Sequence, residues 1–126
     1  GMTALPNAPG VMYAIDPMGA PRMTRRDRWK QRPVVQRYHA FRDQVRALRV
    51  QVPEAGAHVT FVIPMPPSWS RAKREAHRWQ PHQQRPDVDN LAKALLDAVS
   101  AEDCRVHDLR VTKLWGDHGM IVVCET

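Results

Sequence analysis

Cysteine is scarce, aromatic residues are few, and no long apolar run occurs anywhere in these 126 residues. The two cysteines, Cys104 and Cys124, form neither a Cys-x-x-Cys pair nor a disulfide framework, so ordinary reduced thiols are expected. No stretch approaches the roughly 18 apolar residues of a membrane span. No charged segment followed by an apolar one opens the sequence, so no secretion signal is expected. These absences predict a cytoplasmic chain with no membrane partner. The six histidines are scattered, and none sits at zinc-finger spacing from a Cys or another His. Most of them are expected at the surface or on phosphates. Ser68 and Ser70, near His77, lack a third member for a nucleophilic triad. Thiol, zinc and serine chemistry are all poor readings.

What is present is positive charge. Nineteen Lys and Arg against thirteen Asp and Glu give a net +6, and twelve of the nineteen are arginines within the first 78 residues. Trp29, Trp69 and Trp79 are interleaved with them. Arginine meets phosphate bidentately and stacks on flat rings, so this excess favours nucleic acid over a merely charged surface. A membrane-surface role would need a long amphipathic basic helix or a lipidation motif, and neither is found. Two segments carry the charge. The first holds Arg22, Arg25, Arg26, Arg28, Lys30 and Arg32; bracketed by Pro21 and Pro33, it reads as a mobile loop. The second holds Arg71, Lys73, Arg74, Arg78 and Arg85, and its secondary structure stays open. Trp69 and Trp79 in it either stack on exposed bases or anchor a loop to the core.

The length suits one domain with one modest core, spanning residues 1–126. Residues 1–10, with Pro6 and Pro9, read as a flexible lead-in, and Gly1 before Met2 reads as a tag-cleavage scar. Residues 11–15 form a strand candidate. Val34, Tyr38, Phe41, Val45 and Leu48 recur at steps of three and four, predicting a helix over 34–50 with Pro33 at its start. Residues 58–63 are β-branched and read as a strand. Val88, Leu91, Leu95 and Ala98 give the clearest helix, over 87–99. Residues 105–115 and 119–124 read as two strands, joined as a hairpin through 116–119. The expected fold is α/β in the α+β sense: a mixed sheet of three or four strands with two main helices.

The acids are not scattered. Asp87, Asp89 and Asn90 crowd the start of the 87–99 helix, Lys93 follows, and Glu102-Asp103 comes soon after. Residues two apart in a helix point roughly 200° away from each other, so Asp87 and Asp89 converge only if Asp87 lies just before the helix. Pro86, which disfavours helix at Arg85, makes that junction plausible. Asp89 and Lys93, four apart, share a face. Carboxylates gathered near phosphate repel unless a cation lies between them. Mg²⁺ suits that place, because it keeps several waters and needs few carboxylates; it would activate water and draw charge from the phosphate. Lys93 would stabilise charge building on the phosphate. The plainer reading stays open at this point: Asp87 as a helix cap and Asp89–Lys93 as an exposed pair worth about 0.3–0.5 kcal/mol.

The string Asp87-Val-Asp89-Asn90-Leu91-x-Lys93, then Asp97-Ala98, Glu102-Asp103, Val106 and Lys113, resembles the RusA family of Holliday junction resolvases. The proline-rich strand end at 63–67 and the C-terminal strands look similar too. The resemblance implies a dimeric, Mg²⁺-dependent endonuclease that resolves four-way DNA junctions by paired incisions in recombination and repair. By position, Asp87, Asp89 and Asp103 would be the catalytic, metal-binding carboxylates and Lys93 the catalytic lysine. The origin it implies is bacterial, prophage or phage. Two departures stand out: the acidic pair is Glu-Asp where the family has Asp-Asp, and the connection leading to it is shorter. Glu102 or Asp108 could therefore share the role of Asp103. The other readings are a non-catalytic nucleic-acid-binding module and a metal-dependent nuclease of flaps or single strands.

Overall fold

A computed structural model of the chain describes residues 10–22, 32–99 and 105–125. Seven elements follow in order: β1 (Gly10–Tyr13), α1 (Pro33–Ala47), β2 (Ala57–Pro64), α2 (Arg71–His77), α3 (Val88–Val99), β3 (Leu109–Gly116) and β4 (Met120–Glu125). The four strands make one mixed sheet in the order β1-β4-β2-β3. The α+β expectation holds, with a third, short helix added. The basic residues Arg25, Arg26, Arg28 and Lys30, the acidic pair Glu102-Asp103, Trp29 and Cys104 lie outside the described residues.

The sheet corrects one expectation. β3 and β4 follow each other in sequence, yet they are not a hairpin. β2 lies between them, parallel to β3 from Ala57↔Leu109 to Pro64↔Gly116 and antiparallel to β4. The reason is visible in β2 itself, whose first six residues are all buried. A strand so apolar needs a neighbour on both edges, and β4 crosses to supply the second. Gly116 lets the crossing happen, since a Cβ there would collide with the Val62 side chain. Two parallel neighbours require a long crossover, and the β2-to-β3 crossover carries α2 and α3.

α1 and α3 lie together on the sheet. Leu91, Ala94, Leu95 and Ala98 of α3 are buried at the predicted spacing, against Phe41 and Val45 of α1 and Val59, Phe61, Ile121 and Val123 of the sheet. α1 begins at Pro33, as expected, but ends sooner than residue 50. Leu48 is the C-cap and is 46% exposed. Arg49 takes the left-handed conformation (φ 54°), its N–H donates to the Arg46 carbonyl, and the Val50 N–H donates to the Val45 carbonyl. This is a Schellman end, with Val45 and Val50 both buried beneath it. The last strand pair also starts late. His107 N–H donates to the Glu54 carbonyl and Gly56 N–H to the Asp108 carboxylate, so residues 105–108 are held outside the strand, which begins at Leu109.

Two histidines are inside rather than at the surface. His58, on β2, pairs its Nε2 with Thr112 Oγ1 at 2.9 Å. His82 is 3% exposed and lies against the ring of Trp115, with centroids 4.3 Å apart.

Candidate active site

The start of α3 is held from two sides. The Asp87 carbonyl accepts the Leu91 N–H at 3.1 Å, so Asp87 stands immediately before the helix while Asp89 lies within its first turn. This is the junction the proline argued for; the Arg85–Pro86 peptide that leads into it is cis. On one side, the Lys113 ammonium donates to the carbonyl of Gln84 and, at 2.8 Å, to that of Pro86. On the other, Asn90 Nδ2 donates to the Ala20 carbonyl at 3.2 Å. Gly19 beside it has no room for a side chain: a Cβ there would fall 2.5 Å from Asn90 Nδ2 and 3.1 Å from the Pro86 Cβ. Asn90 is thus a brace.

The candidate side chains themselves are uncommitted among the described residues. Asp87, Asp89 and Lys93 are all exposed, and among the described residues none receives a hydrogen bond or ion pair through its side chain. The plain Asp89–Lys93 ion pair is therefore not made. Asp89, Lys93 and Asp97 instead form one exposed stripe at four-residue intervals, opposite the buried stripe of α3. Among the described residues no three His, Cys, Asp or Glu side chains gather as a metal cage. Two oxygen donors at one helix start nonetheless fit Mg²⁺, which keeps most of its shell as water. Asp108, the alternative contributor, is engaged with the Gly56 N–H at 3.0 Å. It precedes β3, at the end of that strand away from Lys113.

The cations share this end of the sheet. The segment after α2 runs along the outer edge of β3: Trp79 N–H donates to the Trp115 carbonyl, Trp115 N–H to the Gln80 carbonyl and His82 N–H to the Lys113 carbonyl, at 2.9–3.0 Å. α2 is fixed by aromatic packing. Trp69 lies between Trp115 (4.7 Å) and His77 (4.8 Å), and Lys73 Nζ stands 4.3 Å above its ring. Trp69 is thus a loop anchor rather than a free platform for bases. Ser70 caps α2, its hydroxyl accepting the Lys73 N–H at 3.2 Å. Arg71 and Lys73 are exposed, and Arg71 makes a solvent-facing pair with Glu75 at 3.4 Å. Arg78 meets Asp117 through two hydrogen bonds of 2.8 and 3.1 Å, and Arg74 reaches the same carboxylate at 3.5 Å. The bond from Arg78 holds the Asp117 carboxyl below its ordinary range and raises the guanidinium. Arg85 is exposed two residues before Asp87. Arg22 is exposed two residues after Ala20, and its carbonyl accepts Arg32 Nη2 at 2.7 Å. Arg22 and Arg85 therefore each stand within two residues of Ala20 or Asp87, at the braced helix start.

The start of α3 thus presents exposed carboxylates on a helix start braced from two sides. The sequence profile of the family described as Endodeoxyribonuclease RusA matches residues 14–124, nearly the whole chain, and the chain belongs to that family. It is accordingly a nuclease, and membership implies Holliday junction resolvase activity. No individual curated protein matches it. Among the described residues no helix is long and apolar enough to cross a membrane.

Proposed function

We propose that the chain is a Mg²⁺-dependent endodeoxyribonuclease that resolves four-way DNA junctions as a homodimer, by paired hydrolysis of two phosphodiesters. The observation that carries this reading is the pair Asp87 and Asp89, left without partners among the described residues at a helix start that two other segments brace. Two carboxylates at one helix start repel each other, and a cation bound between them relieves that repulsion. In this reading Asp87, Asp89 and Asp103 hold the ion. When bound, it would supply charge withdrawal from the phosphate and activation of water. Asp103 lies outside the described residues, and its place in this set rests on the family resemblance.

Lys93, one turn beyond Asp89, would place an ammonium against charge developing on the phosphate. Arg22 and Arg85, with Arg25, Arg26, Arg28 and Lys30, would position the backbone of the cut strand. Arg71, Lys73, Arg74 and Arg78 would hold an adjoining arm. Contacts of this kind fix register without reading sequence. A junction offers two symmetric strands, and a two-fold dimer offers two opposed copies of one site.

Cleavage of four-way junction, flap, duplex and single-stranded DNA, with and without Mg²⁺, tests the reading. Paired symmetric cuts in the junction, dependent on Mg²⁺, are expected. Single nicks confined to flaps or single strands would replace it with the flap-nuclease reading. Tight binding without cleavage under any divalent ion would replace it with a non-catalytic module.

A further inference from the structure

We infer that Lys113 is a positioning residue for Asp87: its ammonium fixes the turn that presents this carboxylate, and so sets the affinity of the site for its divalent cation. The inference rests on the reading of Asp87 as a metal-binding residue.

Lys113 controls the 82–86 loop at three points. Its main-chain carbonyl accepts the His82 N–H at 3.0 Å, where the loop leaves the edge of β3. Its side chain then crosses the loop and donates to the carbonyls of Gln84 and Pro86. The second of these belongs to the peptide whose nitrogen is that of Asp87. Nothing but one peptide plane therefore separates the ammonium's grip from the Asp87 backbone. An ammonium has three N–H donors, and two of them are used here. The side chain is also partly buried, unlike the exposed Arg71, Lys73 and Arg85. Lys113 is thus engaged inward, unlike a residue that meets DNA phosphate.

The loop needs such a tie. Gln83, Gln84 and Arg85 are exposed and supply no packing of their own. Pro81 and Pro86 have no N–H to donate. With Asn90 bound to Ala20 on the far side, the Lys113 grip completes a two-sided brace around positions 86–90. Groups that orient a metal-binding side chain typically change affinity or turnover by about 10–100-fold when removed.

The test is Lys113→Met, similar in length and without donors, compared with wild type, Lys113→Arg and Asp87→Asn. Mn²⁺ binding is read directly by electron paramagnetic resonance, and Mg²⁺ dependence by junction cleavage. In Lys113→Met the ion concentration for half-saturation should rise about tenfold or more in both readouts. The junction KM and the salt slope of binding should stay unchanged. Lys113→Arg, whose guanidinium can donate to both carbonyls, should recover most of the ion affinity. A merely structural role would lower the unfolding temperature without moving the half-saturation, and that result would overturn the inference. A DNA-contact role would flatten the salt slope by about 0.9 instead, and that too would overturn it. Should Lys113→Met not fold, Lys113→Gln, shorter and with a single amide group, carries the same expectation. If Asp87→Asn binds the ion and cleaves like wild type, the metal-site reading itself falls. If Asp87→Asn loses the ion while folded Lys113→Met binds it normally, the Lys113 inference alone falls.

Discussion

Asn90 donates a hydrogen bond to the carbonyl of Ala20, so the start of α3 is tied to the loop that leads into the first basic segment. Gly19 packs directly against that tie. The placement of Asp87 and Asp89 is therefore mechanically connected to that loop.

Gly19→Ala follows from this contact. A methyl group there would meet the Asn90 amide closer than real Cβ atoms come, and Pro86 at an unusually tight 3.1 Å, so the helix start or the loop has to shift. Overpacking of this kind costs roughly 1–3 kcal/mol. Cleavage should fall by more than stability alone accounts for, measured at a temperature where the variant is still folded. Wild-type cleavage by Gly19→Ala would show that the brace does not set the site.

The second prediction concerns the α2 face. Arg71 and Lys73 are exposed, and Arg74 and Arg78 are aligned by Asp117. Replacing Arg71 and Lys73 by Ala should weaken binding to all junction sequences alike. Each lost phosphate contact should reduce the slope of log K against log salt by about 0.9. An unchanged slope would mean that α2 faces away from the DNA.

Stability should depend on pH through two buried imidazoles. Burial, with Arg110 near one and Lys113 near the other, holds His58 and His82 below the ordinary value of 6.5. The unfolded chain takes up these protons near that pH while the folded form still resists them. The stability is therefore complete above pH 6.5 and is lost as pH falls from there through the folded-state values. Urea unfolding should show a lower midpoint at about pH 5.5 than at about pH 7.5, and His82→Phe should narrow the gap. Equal midpoints in the wild type would contradict this account.

The end of α1 offers a gain. Arg49 occupies a left-handed position that costs a side-chain-bearing residue roughly 1–2 kcal/mol, partly offset by the chain entropy of glycine. Arg49→Gly should stabilise the protein by about 0.5–1 kcal/mol in urea unfolding. A loss of stability would mean that the Arg49 side chain makes a compensating contact.

The arrangement at the start of α3 was largely legible in the sequence, because it depends on short spacing. Pro86 marked the junction, and the Leu91, Leu95 and Ala98 stripe fixed which face Asp89 and Lys93 present. α2 was not legible because it buries no residue and so has no apolar period to read; its signal was the Ser70 cap alone. The order of the strands was equally hidden. A short loop between two strands suggests a hairpin, and only the need of β2 for two neighbours overrides it. The roles of Lys113 and Gly19 arise from contacts across the chain, which local spacing does not encode.

Assembly is tested by sedimentation at micromolar protein, with and without junction DNA. A two-fold dimer is expected, present alone or assembled on the junction. A chain that stays monomeric in both conditions, yet makes paired cuts, would refute the dimer mechanism.

The central claim is that Asp87 and Asp89 hold the cation that makes cleavage possible. Its most direct test is junction cleavage in Mg²⁺ by Asp89→Asn, with DNA binding measured on the same preparation. Cleavage should be abolished, while binding is kept or tightened, because a negative charge beside the phosphate is removed. Full cleavage by the folded variant would contradict the account.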